Sequence, residues 1–251
     1  MQTVTAAVSL IGHREDNQDA VDVFGNEHAT LLAVVDGMGG HSDGALAAQL
    51  ACQTLRDAFG AVDMPIPDPR AFLRDSIVDA HSAIAGLGVG QPLEDRPRAT
   101  CAVCLMQGDR AYWCHLGDSR IYLLRNQAVQ RRTRDHSHVE VLLQEGLITE
   151  DQMATHPLRN FVEICLGGEA EAPAVEVSPA VNLMPGDLML LCSDGFWSGL
   201  AEADITAALD ASGDDFDLET ALRDIAEAAV EANAPAADNT TAAAIHWRSE
   251  E

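Results

Sequence analysis

The sequence predicts an antiparallel α+β protein built of packed layers. Strand-like segments occur in groups with pairs of helical segments between them, instead of alternating strictly with helices as in a parallel α/β fold. In the middle of the chain, three short apolar runs follow one another and are separated only by Gly-Asp pairs, which are typical of tight turns. The 251 residues are 47% hydrophobic but only 4% aromatic, so we expect a sizeable core made mainly of Ala, Val, Leu and Ile.

The N-terminal third is predicted to contain three strands and two helices. The strands are residues 3–9, which alternate weakly, the extended segment 20–24, and the continuous apolar run 30–35. An Ala-rich segment at 42–59 has helical periodicity, and a second helix is expected at 70–85 after a loop that contains three prolines.

The rest of the chain is predicted to form further strands, one segment that leaves the sheet, and a pair of helices before the last strand. Residues 135–170 interrupt the strands with two short helical patterns, so we expect this segment to leave the sheet. The predicted elements around it are strands at 100–107, 110–116, 120–125, 174–177 and 187–192, helices at 202–211 and 217–232, and a final strand at 240–247. No repeat or linker divides the sequence, which predicts one domain over residues 1–251.

The charge balance argues against two classes of partner. With 15 basic and 40 acidic side chains the net charge is −25, and the densest basic cluster, 131–134, is short. A nucleic-acid-binding face needs clustered Lys and Arg, and an anionic membrane surface would repel this chain. We therefore expect neither nucleic acid nor a membrane as a partner.

Targeting signals and cysteines predict a cytoplasmic protein. No apolar stretch approaches the ~20 residues that span a bilayer, and the N-terminus lacks the basic leader of a secretion signal. The six cysteines form no disulfide framework, which is typical of a reducing compartment. Cys101 and Cys104 have the spacing of a zinc pair, but on a strand they would face opposite sides and no second pair exists. We favour buried thiols over zinc.

Four aspartates lie where predicted strands begin or end. Asp36 and Asp194 each end an apolar run and precede a glycine, Asp118 follows a strand, and Asp238 precedes the last strand. Carboxylates gathered at one sheet edge repel one another unless a multivalent cation neutralises them, and such oxygen ligands suit Mg²⁺ or Mn²⁺. A single Asp-Gly pair is more often only a turn, so this hypothesis depends on the whole set.

These aspartates belong to seven motifs that occur in order between residues 14 and 241. The motifs are REDNQDA (14–20), VDGMGGH (35–41), GDSR (117–120), DHS (135–137), HPLRN (156–160), CSDG (192–195) and DNTT (238–241). Each motif alone is weak evidence, but the ordered set resembles the bacterial metal-dependent protein serine/threonine phosphatases of the type-2C (PPM) family. The resemblance implies a four-layer α-β-β-α sandwich of two antiparallel sheets flanked by helix pairs. It also implies a binuclear centre at one end and a flap at about 135–170 that influences substrate choice.

The resemblance also implies a set of metal ligands. They are Asp19, Asp36, Gly37 through its carbonyl, Asp118, Asp194 and Asp238. By position, Asp36 would bridge two tightly bound Mn²⁺ or Mg²⁺ ions, and Asp118 with Asp194 is similar to the pair that holds a third, weaker ion in bacterial members. Asn239 is expected to steady the ligands through hydrogen bonds.

Arg14, Asp36 and His41 are the catalytic candidates that the resemblance suggests. A guanidinium fork suits Arg14 to the substrate phosphate, and His41 would give a proton to the leaving alkoxide, although a histidine in such a turn is more often only structural. Two positions depart from the family pattern. Met38 stands where eukaryotic relatives carry a histidine, and Ala45 stands where a glutamate is usual.

The function implied by the resemblance is hydrolysis of phosphoserine and phosphothreonine in proteins by a metal-activated water. Its partners would be phosphoproteins, namely a bacterial Ser/Thr kinase and its targets. Three alternatives stay open: a pseudophosphatase that only binds phosphoproteins, a phosphatase of small anti-sigma-type regulators, and a small-molecule phosphatase. The intact ligand positions argue against the first, and the motifs around Arg14 and at 135–137 argue against the second.

Overall fold

The computed structural model describes residues 2–38, 42–153, 155–211, 213 and 216–248. The strands are β1 (Gln2–Leu10), β2 (Asp19–Gly25), β3 (Ala29–Met38), β4 (Arg98–Ala99), β5 (Cys101–Gln107), β6 (Arg110–Leu116), β7 (Arg120–Arg125), β8 (Ala128–Arg132), β9 (Leu166–Gly167), β10 (Val181–Asn182), β11 (Leu188–Cys192) and β12 (Thr240–Arg248). The helices are α1 (Ser42–Ala61), α2 (Pro69–Leu87), α3 (His138–Gln144), α4 (Glu150–Met153), α5 (Asp194–Trp197), α6 (Glu202–Ala208) and α7 (Leu218–Ala232), with a 3₁₀ turn at Leu93–Asp95.

The strands form two antiparallel sheets. The first has the order β1-β12-β11-β7-β8, and the second has the order β10-β6-β5-β3-β4-β9, with β2 also paired to β3. In the first sheet Leu10, the last residue of β1, lies opposite Thr240, the first residue of β12. Because β2 belongs to the other sheet, the loop at 11–18 crosses between the sheets beside residues 237–239.

Three apolar layers hold the sandwich together and confirm the predicted four-layer α-β-β-α class. Between the sheets, alternate residues of the facing strands interdigitate, for example Leu32 of β3 with Leu191 of β11. The opposite face of the second sheet packs on α1 and α2, and that of the first sheet packs on α5, α6 and α7. In the described residues, no helix is long and apolar enough to cross a membrane.

The central strands are buried on both faces, which explains their uninterrupted apolar sequences. In β5, Cys101 packs in the layer against α1 and α2, whereas Cys104 packs in the layer between the sheets. Two thiols on opposite faces of a strand cannot share a zinc ion. All six cysteines are free.

The structure differs from the predicted elements mainly at sheet edges. The segment 174–177, predicted as a strand, makes only an isolated bridge from Val177 to Cys114. Conversely, β8 was not predicted, because an exposed edge strand shows no apolar alternation. Its hairpin is also hidden in the sequence, since Asn126 and Gln127 adopt the positive φ angles of 52° and 57° that glycine usually supplies.

Candidate metal centre

Five aspartates meet at one end of the sandwich, where strands of both sheets begin or end. Asp19 is the first residue of β2, Asp36 lies near the end of β3, and Asp118 lies in the turn between β6 and β7. Asp194 opens α5 directly after β11, and Asp238 lies just before β12. Each carboxyl group is therefore placed by a strand whose position is fixed by core packing.

Asp19 and Asp36 face each other directly across the β2–β3 ladder. Like charges in such a pair destabilise a sheet. Burial and the nearby carboxylates of Asp194 and Asp238 raise the pKa of Asp19 to about 7, against the hydrogen bonds from Thr241 and Ser193. Burial, followed by the charge of Asp19, raises the pKa of Asp36 well above its usual range.

The other two buried aspartates of the cluster carry the same electrostatic signature. Burial and the charge of Asp194 raise the pKa of Asp118 to about 7. Burial and the charge of Asp238 raise the pKa of Asp194 to about 6, although the Gly195 backbone, Arg14 and a hydrogen bond with Asp36 lower it. Without added cations, the cluster therefore holds protons at neutral pH in place of positive charge.

Two buried oxygens in the cluster have no hydrogen-bond partner, namely Oδ1 of Asp19 and Oδ1 of Asp194. The other oxygen of Asp19, Oδ2, accepts a hydrogen bond of 2.8 Å from Ser193. A buried carboxylate oxygen without a donor is costly, and a hard divalent cation is the ligand that would satisfy it. The all-oxygen donor set therefore fits Mn²⁺ or Mg²⁺.

Within the described ranges, no group of three or more His, Cys, Asp or Glu side chains stands in a geometry that could already hold a metal. Two of the expected ligands are engaged elsewhere, since Asp238 accepts from Arg14 and Asp19 accepts from Ser193. Asp19 keeps its other oxygen, Oδ1, without a hydrogen-bond partner, so the bond from Ser193 leaves an oxygen available for a cation.

Arg14 lies at the open side of the cluster. Its Nη2 donates a hydrogen bond of 2.6 Å to Asp238, and its side chain is 56% exposed. The predicted phosphate-binding residue is thus placed beside an expected ligand, with its guanidinium accessible from solvent.

Asn239 fixes the loop that carries Arg14. Its Oδ1 accepts a hydrogen bond of 2.8 Å from the Gln18 backbone, and its Nδ2 donates to the carbonyls of Ile11 and Asp16 at 2.9 and 3.0 Å. These three bonds join the 11–18 crossover to the start of β12. They connect Asn239 to the loop that carries Arg14, whereas its role in steadying the metal ligands stays a prediction.

The glycine at position 37 is required by close backbone approach. A Cβ atom there would collide with the carbonyl oxygen of Gly44 and lie 2.7 Å from that of Gln18. The Gly37 amide also donates to the Gln18 carbonyl at 3.1 Å. The end of β3, the start of α1 and the end of the crossover loop therefore meet at Gly37, where no side chain fits.

His41 lies outside the described residues, so its role stays a prediction.

Ser193 belongs to the CSDG motif but was not among the predicted site residues. Its hydroxyl donates to Asp19 and accepts from the Thr241 amide at 3.1 Å. Its position between a buried strand and Asp194 was the available signal.

The two-sheet fold and the aspartate cluster together define a class of protein. In this class, carboxylates from both sheets meet at one end of the sandwich to bind divalent cations. Residues 9–234 match the family described as Protein phosphatase 2C. The chain belongs to this family, and the resemblance seen in its motifs is confirmed.

The names of two related proteins agree with this family. The serine/threonine protein phosphatase PstP of Mycobacterium tuberculosis is 35% identical over 196 residues, which cover 78% of this chain and 36% of PstP. The chain thus spans about a third of that relative's length. A putative protein phosphatase 2C-type of Streptococcus pyogenes is 32% identical over 199 residues, with 78% and 79% of the two chains covered.

A solved structure agrees as well. The catalytic domain of the phosphatase PstP in complex with two manganese ions has a TM-score of 0.82 and 29% identity to this chain. The match covers 98% of this chain and 99% of that one. The shared fold therefore extends over nearly the whole described chain.

Proposed function

We propose that this protein hydrolyses phosphoserine and phosphothreonine in proteins with the help of divalent cations. The observation that carries the proposal is the convergence of five buried or half-buried aspartates beside Arg14 in a chain of the protein phosphatase 2C family. Two buried oxygens of that cluster, Oδ1 of Asp19 and Oδ1 of Asp194, have no hydrogen-bond partner. A cation bound from solution would stabilise them.

The proposed ligand roles are those that the family resemblance assigns to these positions. Asp36, which is placed between Asp19 and Asp194, would bridge two ions. Asp19 and the Gly37 carbonyl would hold one of these ions, and Asp194 and Asp238 would hold the other.

A third, weaker ion would be held by Asp118 and Asp194, whose charges act on each other. The physiological ion is Mn²⁺ or Mg²⁺. The PstP structure with two manganese ions supports the tightly bound pair.

The residues of this chain have separate tasks in the reaction. Divalent cations, when bound, supply a nucleophilic water at neutral pH and neutralise the phosphoryl oxygens. Arg14 binds two phosphate oxygens with its guanidinium fork once it leaves Asp238. Asn239 holds the Arg14 loop in place through three backbone contacts. His41 is the proposed proton donor to the leaving alkoxide.

The biological setting follows from the same proposal. The partners are phosphoproteins, namely a Ser/Thr kinase and its targets, and neither nucleic acid nor a membrane is expected at a net charge of −25. Free cysteines support a cytoplasmic location. We further propose one catalytic domain over 1–251, in which 135–170 is a flap beside the site.

The first test measures phosphate release from a phosphothreonine peptide with Mn²⁺, with EDTA and with Asp194→Asn. We expect turnover only with Mn²⁺, and a loss in the variant that exceeds the roughly 10–100-fold typical of outer hydrogen-bond partners. Asp109→Asn, on the exposed β5–β6 turn, is the matched control and should retain full activity.

The outcomes separate the alternatives. Tight phosphopeptide binding without turnover in a folded, Mn²⁺-loaded protein would identify a pseudophosphatase. Faster turnover of sugar phosphates than of phosphopeptides would identify a small-molecule phosphatase. Turnover confined to a phosphorylated anti-sigma-type regulator would identify the third alternative.

Substrate flanks provide a second test. The charge of −25 predicts faster turnover of phosphopeptides with basic flanks than with acidic flanks, because acidic flanks are repelled. The difference in kcat/KM should shrink as salt is added. Equal rates for both peptides at low salt would contradict this prediction.

A further inference from the structure

Trp197 connects two aspartates of the cluster. It is the last residue of the short helix α5, whose first residue is Asp194. Its indole Nε1 donates a hydrogen bond of 2.9 Å to the backbone carbonyl of Asp118. One side chain therefore ties the turn that carries Asp118 to the helix that carries Asp194.

The indole ring is itself held in place by Arg120. The Arg120 Cζ lies 3.3 Å from the centre of the ring, which is a close cation–π contact. The same guanidinium donates two hydrogen bonds of 2.8 Å to the carboxylate of Asp135. The two charged side chains are only 12% and 7% exposed, so this arrangement has little freedom to move.

Asp135 begins the 135–170 segment, and the next residue contacts the same turn. The His136 amide donates to the Gly117 carbonyl at 2.8 Å, and the Gly117 amide donates to Nδ1 of His136 at 3.4 Å. The base of the segment is thus attached to the Asp118 turn on both sides. Composition and spacing assign Trp197 simply to the core, and neither explains why its polar atom faces this turn.

We propose that Trp197, held by Arg120 and Asp135, is a positioning residue that sets the spacing of Asp118 and Asp194 for the third, weaker ion. The inference rests on the proposed function, which assigns that ion to these two aspartates. Loss of the indole N–H would leave the Asp118 carbonyl without this donor and the turn free to shift. Hydrogen-bond partners that orient metal ligands typically change metal affinity by 10–100-fold.

The test measures Mn²⁺ binding directly, by the electron paramagnetic resonance signal of free Mn²⁺ during titration of the protein. Trp197→Phe retains a ring for Arg120 but removes the N–H donor. We expect the weakest Mn²⁺ site to lose about 10–100-fold in affinity while the tighter sites are unchanged. Trp113→Phe, in the layer between the sheets, is the matched control and should bind like the wild type.

A double-mutant cycle with Asp118→Asn separates positioning from general destabilisation. If Trp197 acts through Asp118, Trp197→Phe should have no further effect on Mn²⁺ binding once Asp118 is replaced. A merely structural role predicts the same loss in both backgrounds, together with a lower melting temperature, and would overturn the proposal. Wild-type affinity of every site in Trp197→Phe would also overturn it.

A second variant and the Mn²⁺ binding of Asp118→Asn alone complete the test. If Trp197→Phe does not fold, Arg120→Lys takes its place, because it retains the charge but loses the fork, and it should weaken the same site in the same direction. Unchanged binding in that variant would count against the proposal. If Asp118→Asn removes no ion, the third-ion assignment fails and this inference with it, whereas Mn²⁺-dependent phosphate release by the wild type would leave the proposed function standing.

Discussion

An aspartate lies beyond each end of β11, and the two have opposite surroundings. Asp187 precedes the strand, and Arg125 donates hydrogen bonds of 2.6 and 2.7 Å to its carboxylate. The Met184 amide adds a third bond of 2.8 Å. Asp194, beyond the other end, faces other carboxyl groups and keeps a buried oxygen without a hydrogen-bond partner.

The difference shows that β11 carries a stabilising ion pair at one end and a candidate metal ligand at the other. A buried carboxylate is tolerated when the chain itself supplies a bidentate cation and backbone donors, as around Asp187. At Asp194 the chain brings further negative groups instead, so the missing positive charge has to come from solution. Local conflict of this kind is expected at functional sites and not in the rest of a stable fold.

The largest expected effect comes from breaking the paired end. Arg125→Met leaves Asp187 buried without its cation, so the free energy of unfolding should fall by about 3–5 kcal/mol. Urea denaturation measures the loss. Mn²⁺ affinity should stay unchanged, because the metal-binding end is left intact.

The control for this prediction replaces both partners. Arg125→Met combined with Asp187→Leu removes the uncompensated charge and should recover much of the lost stability. A fall in Mn²⁺ affinity in Arg125→Met would show that the two ends of β11 are not independent.

The unpaired end should make stability depend on pH. In the metal-free protein Asp19 and Asp118 have a pKa of about 7 and Asp194 a pKa of about 6, against 3.8 in the unfolded chain. Between pH 4 and 7 the folded state therefore holds protons that the unfolded state has released. Stability contributed by these protonated groups is complete at low pH and is lost as the pH rises, on the order of 2 kcal/mol between pH 5 and 7 for each group with a pKa of about 7.

Bound Mn²⁺ should reverse this slope, because the ion displaces the protons and binds more tightly as the pH rises. Urea or thermal unfolding at several pH values, with Mn²⁺ and with EDTA, measures both curves. Asp194→Asn should flatten the slope in EDTA, whereas the double variant Arg125→Met with Asp187→Leu, which leaves no uncompensated carboxyl group at the other end of β11, should keep the wild-type slope. Equal slopes in wild type and Asp194→Asn would refute the electrostatic account of the cluster.

Much of this fold could be predicted from the sequence, because its central strands are buried on both faces and therefore appear as apolar runs. The 187–192 run matches β11 to within one residue, and the 30–35 run lies inside β3, which extends three residues further at its C-terminal end. The edges could not be predicted in this way. The exposed β8 lacks a pattern, and segment 174–177 looks like a strand although it makes only one bridge.

The residues of the candidate site could be predicted from the sequence, but the contacts between them could not. Strand-end aspartates and ordered motifs pointed to Asp36, Asp118, Asp194 and Asp238. The opposition of Asp19 to Asp36 depends on the register of two strands, which no local pattern encodes. The pairing of Arg14 with Asp238 likewise depends on a contact between residues 224 positions apart.

The smallest expected effect concerns Ser193, which lies between β11 and Asp194. Its hydroxyl donates to Asp19 and accepts from the Thr241 amide, so Ser193→Ala should lower the free energy of unfolding by about 1 kcal/mol. Because this bond favours the charged form of Asp19, its loss should raise the pKa of Asp19 further. Mn²⁺ should then bind more weakly at pH 6 but nearly normally at pH 8, as measured by titration at both values.

Ser178→Ala is the matched control for this last prediction. The Ser178 hydroxyl also accepts a backbone hydrogen bond, of 2.9 Å from the Trp113 amide. It should therefore cost a similar amount of stability with no change in Mn²⁺ binding at either pH. If Ser193→Ala weakens Mn²⁺ equally at pH 6 and pH 8, Ser193 acts on the shape of the site and not on the charge of Asp19. The contrast between the two ends of β11 would then be one of geometry as well as of electrostatics.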